Sequence, residues 1–96
     1  MDIQDVKDKI IPIIKKYHVS RASLFGSIVS GTMNKDSDID LLVELPPDSS
    51  LFDMLRVKVS LEEKLNKRVD LVQYKAIKAA YRKEILASQF PIYSQA

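Results

Sequence analysis

The chain has 96 residues, 46% of them hydrophobic and 29% charged, with a formal net charge of +2; this predicts one globular domain over residues 1–96 and argues against a membrane protein. It holds no cysteine and one histidine, so disulfides, thiolate chemistry and a zinc site are excluded, and any metal must be a hard cation held by carboxylates. The nearly balanced charge predicts no direct nucleic-acid partner, and no apolar run approaches the ~20 residues that span a bilayer.

The opening run Asp2-Ile3-Gln4-Asp5 is acidic and periodic, the wrong start for a signal peptide, which predicts a cytoplasmic protein. Ile3, Val6, Ile10, Ile13, Ile14 and Tyr17 recur at helical spacing after Asp2 as N-cap. Pro12 lies inside that pattern and is expected to kink or break the helix. Ser20 to Phe25 reads as a short strand ending at Gly26-Ser27. One helical turn over Ser27 to Gly31 and a loop of Asn34, Lys35, Asp36 and Ser37 come next. Asp38 to Glu44 alternates and then becomes continuously apolar, as a central strand covered on both faces does. After the Pro46-Pro47 loop a long helix runs from Leu51 to about Leu65, with Leu51, Met54, Leu55, Leu61 and Leu65 expected to face the core. Val69 to Val72 forms a third strand, and Ile77, Tyr81 and Ile85 mark a last helix before the closing Phe90-Pro91-Ile92-Tyr93. The order α-β-(α)-β-α-β-α predicts an α/β (α+β) fold, a small mixed sheet with helices packed on it.

Asp38 and Asp40 are separated by one residue in a strand, so both carboxylates project from one face while Ile39 turns into packing. At ~3.3 Å rise per residue they stand ~6.5 Å apart, a spacing that can share or flank divalent cations. An Asp-x-Asp alone matches by chance, and an exposed edge strand explains most such pairs. Here the pair runs straight into Leu41-Leu42-Val43, the mouth of a buried strand, where unpaired charge is costly.

Gly26-Ser27, at a strand-to-helix junction, offers free backbone N–H groups and a hydroxyl to an anion. The plainer meaning of the dipeptide is a turn followed by a helix cap. Gly26 and Gly31 have the glycine spacing of a P-loop, but Thr32 and Met33 stand where its Lys and Ser/Thr belong, which rejects a Walker-type ATPase. Asp70, acidic in the otherwise apolar run Val69-Asp70-Leu71-Val72, is the third carboxylate. If its strand neighbours the Asp38–Asp40 strand, three carboxylates converge.

Gly26-Ser27, ten intervening residues and Asp38-Ile39-Asp40 resemble the Gly-Ser…Asp-x-Asp signature of the DNA polymerase β-like nucleotidyltransferases. Leu24-Phe25-Gly26-Ser27, Ser37 to Val43, Arg68 to Val72, Tyr81-Arg82-Lys83-Glu84-Ile85 and Pro91-Ile92-Tyr93 resemble the small prokaryotic minimal nucleotidyltransferase branch over nearly the whole chain. The resemblance implies that Gly26 and Ser27 bind a nucleoside triphosphate, with ATP as substrate. It implies that Asp38 and Asp40 ligate Mg²⁺, as two ions, and that Asp70 completes the site and helps deprotonate the attacking hydroxyl. The branch often carries arginines just after Gly-Ser; Ile28 and Ser30 occupy those places here, with Lys35 or Arg82 as replacements suggested by charge. His18 is expected at the surface or a helix end.

The branch commonly supplies the antitoxin of a two-gene pair whose toxin is a HEPN-type ribonuclease encoded by the neighbouring gene. The resemblance implies that AMP is moved from ATP to a tyrosine hydroxyl of that toxin. The chain is short, so the partner, or a second copy of this chain in a homo-oligomer, is expected to supply the acceptor surface. The alternatives are an antitoxin that acts by binding alone and a transferase that modifies a small molecule.

Overall fold

The computed structural model describes residues 2–95. Helix α1 (Ile3–Lys16) begins with a reciprocal cap: the Asp2 carboxylate accepts from the Asp5 N–H at 2.8 Å, and the Asp2 N–H reaches back to the Asp5 carboxylate at 3.5 Å. Lys15 and Lys16 lie in its last turn, where cations oppose the helix dipole. The break expected at Pro12 does not occur, and α1 continues through it to Lys16. Pro12 removes one donor from the carbonyl of Asp8; both residues are exposed, so water can take that carbonyl.

Strand β1 (Arg21–Phe25) leads into the four-residue helix α2 (Ser27–Ser30), and β2 (Ile39–Glu44) follows a loop. Helix α3 (Leu51–Leu65) is capped by Ser50 and Asp53 in the same reciprocal manner, at 3.2 and 2.9 Å, and ends at Asn66 with a left-handed φ of 53°. Strand β3 (Val69–Gln73), a 3₁₀ turn (Tyr74–Ala76), α4 (Ala79–Ser88) and β4 (Phe90–Ser94) complete the order. The sheet runs β3-β2-β1-β4. β1 pairs antiparallel with β2 and β4, whereas β2 and β3 are parallel. The sheet is mixed, with helices packed on it, as the sequence predicts.

The two-residue period of the strands sorts side chains between two cores. Ile39, Leu41 and Val43 of β2, Ala22 and Leu24 of β1 and Val69 and Leu71 of β3 meet Val6, Ile10, Ile14, Val57, Leu61 and Leu65 of α1 and α3. Leu42, on the opposite face, packs with Tyr74 and Ile77, and Phe25, Val72, Ile85 and Leu86 close over them. The second core is smaller. Asp40 shares its parity with Leu42, so the chemistry of the β2 strand faces this thinner side.

Three further expectations need correction. The closing segment is the edge strand β4, which Pro91 disguises; an edge position tolerates a residue without an N–H donor. In α3 the buried stripe is Val57, Leu61 and Leu65 with Met54 partly buried, while Leu51 and Leu55 are 71% and 45% exposed. Ile77 lies before α4 rather than in it, and Tyr81 is 56% exposed. Leu61→Ala should cost roughly 3 kcal/mol in urea unfolding, and Leu51→Ser under about 0.5 kcal/mol, because only the first opens a cavity. Equal costs would contradict the assigned faces of α3.

Candidate active site

Register brings the predicted residues to one end of the sheet. Phe25, the last residue of β1, lies opposite Asp40, and Asp40 in turn lies beside Asp70 on β3. Neighbouring strands are ~4.8 Å apart, so the side chains of Asp40 and Asp70 project from adjacent positions on one face. The Ile39 N–H donates to the Arg68 carbonyl at 2.9 Å, which extends the parallel ladder toward its start. Asp38 and Arg68 therefore stand as the pair before Asp40 and Asp70. Their side chains meet, with Arg68 Nε 3.2 Å from Asp38 Oδ1.

Gly26 joins β1 to α2 with φ 76° and ψ −145°, a conformation that side chains disfavour. The Asp40 carboxylate lies directly against it. A Cβ at position 26 would collide with Asp40 Oδ2 and come within 3.1 Å of Asp40 Cγ. Glycine is thus needed twice, for the turn and to admit a carboxylate. No side chain caps α2, and the N–H groups of Val29 and Ser30 fold back onto the Gly26 carbonyl. The N–H groups of Ser27 and Ile28 and the Ser27 hydroxyl remain at the same end as Asp40, able to donate to an anion. Ile28 instead packs against the main core, and the Ser30 hydroxyl turns to Ser27 O and the Thr32 hydroxyl, so α2 brings no cation.

Burial pushes the Asp40 carboxyl above the usual carboxylate range, and the negative charges of Asp70 and then Asp38 push it further in the same direction. Carboxylate oxygens are the donors a hard divalent cation takes, and such a cation would offset the charge of Asp70 and Asp38 that adds to burial in raising Asp40. The three aspartates are nevertheless not drawn into a ready cluster. Among the described residues no three His, Cys, Asp or Glu side chains converge closely enough to hold an ion together. Asp40 and Asp70 are adjacent, as expected; Asp38 is turned to Arg68.

Sequence reasoning passed over Arg68, although Arg68-Val69-Asp70 repeats the alternation of Asp38-Ile39-Asp40 and signals a shared face. It also passed over Lys67, whose ammonium holds the loop before β2 through the carbonyls of Lys35 at 2.9 Å and Ser37 at 3.2 Å. Arg82, suggested as a replacement cation, donates to the Tyr74 carbonyl at 3.3 Å, just past the end of β3 opposite the aspartates. His18 lies exposed after α1, as expected, with a φ of 59°. A cleft of about 580 Å³ at that same far end, lined by residues including Ser20, Glu44, Gln73 and Gln95, is remote from the carboxylates.

The family described as polymerase beta, nucleotidyltransferase, matches residues 8–96. A Methanocaldococcus jannaschii protein that bears the provisional name of protein adenylyltransferase is 45% identical over 86 residues, covering 90% of this chain and 92% of the relative. A solved structure provisionally named a minimal nucleotidyltransferase superimposes with a TM-score of 0.82 and 30% identity, over 95% of this chain and 96% of the other. A chain of the complex between a tri-AMPylated Shewanella oneidensis HEPN toxin and its MNT antitoxin shares the fold, with a TM-score of 0.74 and 19% identity over 96% of this chain and 72% of that one. This chain belongs to the polymerase β nucleotidyltransferase family and is a nucleotidyltransferase.

The raised Asp40 fixes the sign of a pH effect. Folded Asp40 holds its proton more tightly than the unfolded chain does, so stability falls as pH rises from ~4 through the raised value and levels off above it. Asp40→Asn should therefore melt above the wild type in EDTA at neutral pH, by a margin that grows across that window. Added Mg²⁺ should stabilise the wild type and leave the variant unmoved. A variant that melts lower in EDTA would show that Asp40 is not repelled in this site.

Proposed function

We propose that this nucleotidyltransferase transfers AMP from ATP to a tyrosine hydroxyl of a HEPN toxin encoded beside it, and thereby acts as the antitoxin in the cytoplasm. The reading rests on one observation above the rest: Asp40 and Asp70 stand side by side across the parallel β2–β3 pair, with Gly26 bare against Asp40. The substrate and partner follow from the relative named a protein adenylyltransferase and from the AMPylated HEPN toxin in the complex that shares the fold.

Asp38, Asp40 and Asp70 would hold two Mg²⁺ ions, which when bound neutralise the triphosphate and favour an ionised acceptor hydroxyl. The chain's own groups do the rest. The N–H groups of Ser27 and Ile28, with the Ser27 hydroxyl, donate to phosphate oxygens and align the triphosphate over the start of β2. The exposed Asp70 takes the proton of the incoming tyrosine hydroxyl. The tyrosine oxygen then bonds to the α-phosphorus as the bond to the α–β bridging oxygen breaks, and pyrophosphate carries that electron pair away. No side-chain nucleophile is needed, consistent with a chain without cysteine. The acceptor enters from the open side of the site, where Asp38 and Asp70 are both exposed; the partner brings its own tyrosine, so a small domain suffices.

A second reading has a specific observation in its favour: α2 lacks a cation and Asp38 is engaged by Arg68, as a site that binds its partner without turnover would allow. Intact mass of the neighbouring-gene protein, after incubation with this chain and Mg·ATP, separates the two. Transfer predicts a gain of whole AMP units that disappears with Asp70→Asn. A stable complex with no gain in mass would assign binding alone.

A further inference from the structure

The charge balance of the site draws attention to a cation held at its rim by a single exposed ion pair. A triphosphate brings several negative charges to the start of β2, where the carboxylates of Asp38, Asp40 and Asp70 already stand. Positions 28 and 30, just after Gly26-Ser27, supply isoleucine and serine, and Arg82 and Lys67 are committed to backbone carbonyls. Arg68 is different. It lies two residues before Asp70, just ahead of β3, where its carbonyl accepts from the Ile39 N–H, and the two-residue period puts it on the Asp70 face. Its side chain is 80% exposed, and its Nε lies 3.2 Å from Asp38 Oδ1 at the mouth of the site. Ion pairs so exposed exchange partners readily. A guanidinium fork matches two phosphate oxygens better than it matches one edge of a carboxylate.

We propose that Arg68 is a triphosphate-binding residue that rests on Asp38 until nucleotide and metal arrive, then releases Asp38 to the metal and turns its fork to the phosphates. The inference rests on the nucleotidyltransferase reading and deepens it, because it assigns the grip on phosphate that α2 lacks to the start of β3. Two effects of opposite sign follow. Without nucleotide, Arg68 competes with a divalent cation for Asp38 and weakens its binding. With nucleotide, Arg68 adds a charged double hydrogen bond and strengthens it.

Arg68→Gln and Arg68→Lys in the full chain test both effects, with folding checked by thermal melting; so exposed a side chain can be exchanged without loss of core. Mn²⁺ binding without nucleotide, followed by electron paramagnetic resonance, should tighten by about two- to fivefold in Arg68→Gln as the competitor is removed. Binding of a non-hydrolysable ATP analogue with Mg²⁺, followed by calorimetry, should weaken about tenfold or more in the same variant. Arg68→Lys should fall between, since it keeps the charge and loses the fork. In turnover KM for ATP should rise with kcat little changed. Analogue affinity unchanged in Arg68→Gln would overturn the proposal even if Mn²⁺ binds tighter, since Arg68 would then only mask Asp38. Failure of the wild type to bind the analogue would overturn the nucleotidyltransferase reading, and this inference with it.

Discussion

The site depends on a carboxylate that the sheet forces into partial burial beside a like charge. Parallel register sets Asp40 beside Asp70, and the turn at Gly26 places a bare backbone against the Asp40 carboxylate. The apolar packing of β2 on both faces fixes that register: a one-residue slip would send Ile39, Leu41 and Val43 out of the main core and Asp40 into it. Hydrophobic burial, the dominant favourable term in folding, thus holds two like charges together. Burial first, and then the charges of Asp70 and Asp38, raise the Asp40 carboxyl above its usual range.

Polar bonds on the thinner face hold Tyr74 at the opposite end of the sheet. The buried Ser23 and Tyr74 hydroxyls share a hydrogen bond of 2.6 Å, the Tyr74 hydroxyl reaches Gln89 at 3.2 Å, and Arg82 holds the Tyr74 carbonyl. The Arg21 guanidinium lies 3.9 Å from the centre of the Tyr74 ring. Tyr74 thereby ties α4 and the approach to β4 onto the sheet at the end away from the aspartates. Asp38, Arg68 and Asp70 stay open to solvent at the other end. A partner's side chain can reach them without any part of this fold moving aside.

Local signals in the sequence went far. The caps at Asp2 and Ser50, the continuous apolar run of β2, the short turn after Gly26 and the bounds of α3 are all written within a few residues, and so was the Asp38–Asp40 pair. What failed depended on the rest of the molecule. Pro91 argues locally against a strand, and only the free edge of β1 makes β4 possible. Leu51 and Leu55 share a helical spacing with residues that face the core, but the direction of the stripe is set by where α1 lies, so Val57 is buried in their place. The Asp40–Asp70 pairing joins residues from strands separated by a whole helix, and no local pattern states it. Arg68 was visible as an alternation, yet its contact with Asp38 needed the same parallel pairing.

The fold brings Asp40 and Asp70 together, and their proposed task is to hold a divalent cation for nucleotide chemistry. Anomalous diffraction from crystals grown with Mn²⁺ and a non-hydrolysable ATP analogue tests it directly. The account predicts an anomalous peak between the Asp40 and Asp70 carboxylates, with the Asp38 carboxylate turned from Arg68 toward it. Nucleotide bound elsewhere, or metal absent from these carboxylates while nucleotide is bound, would contradict it.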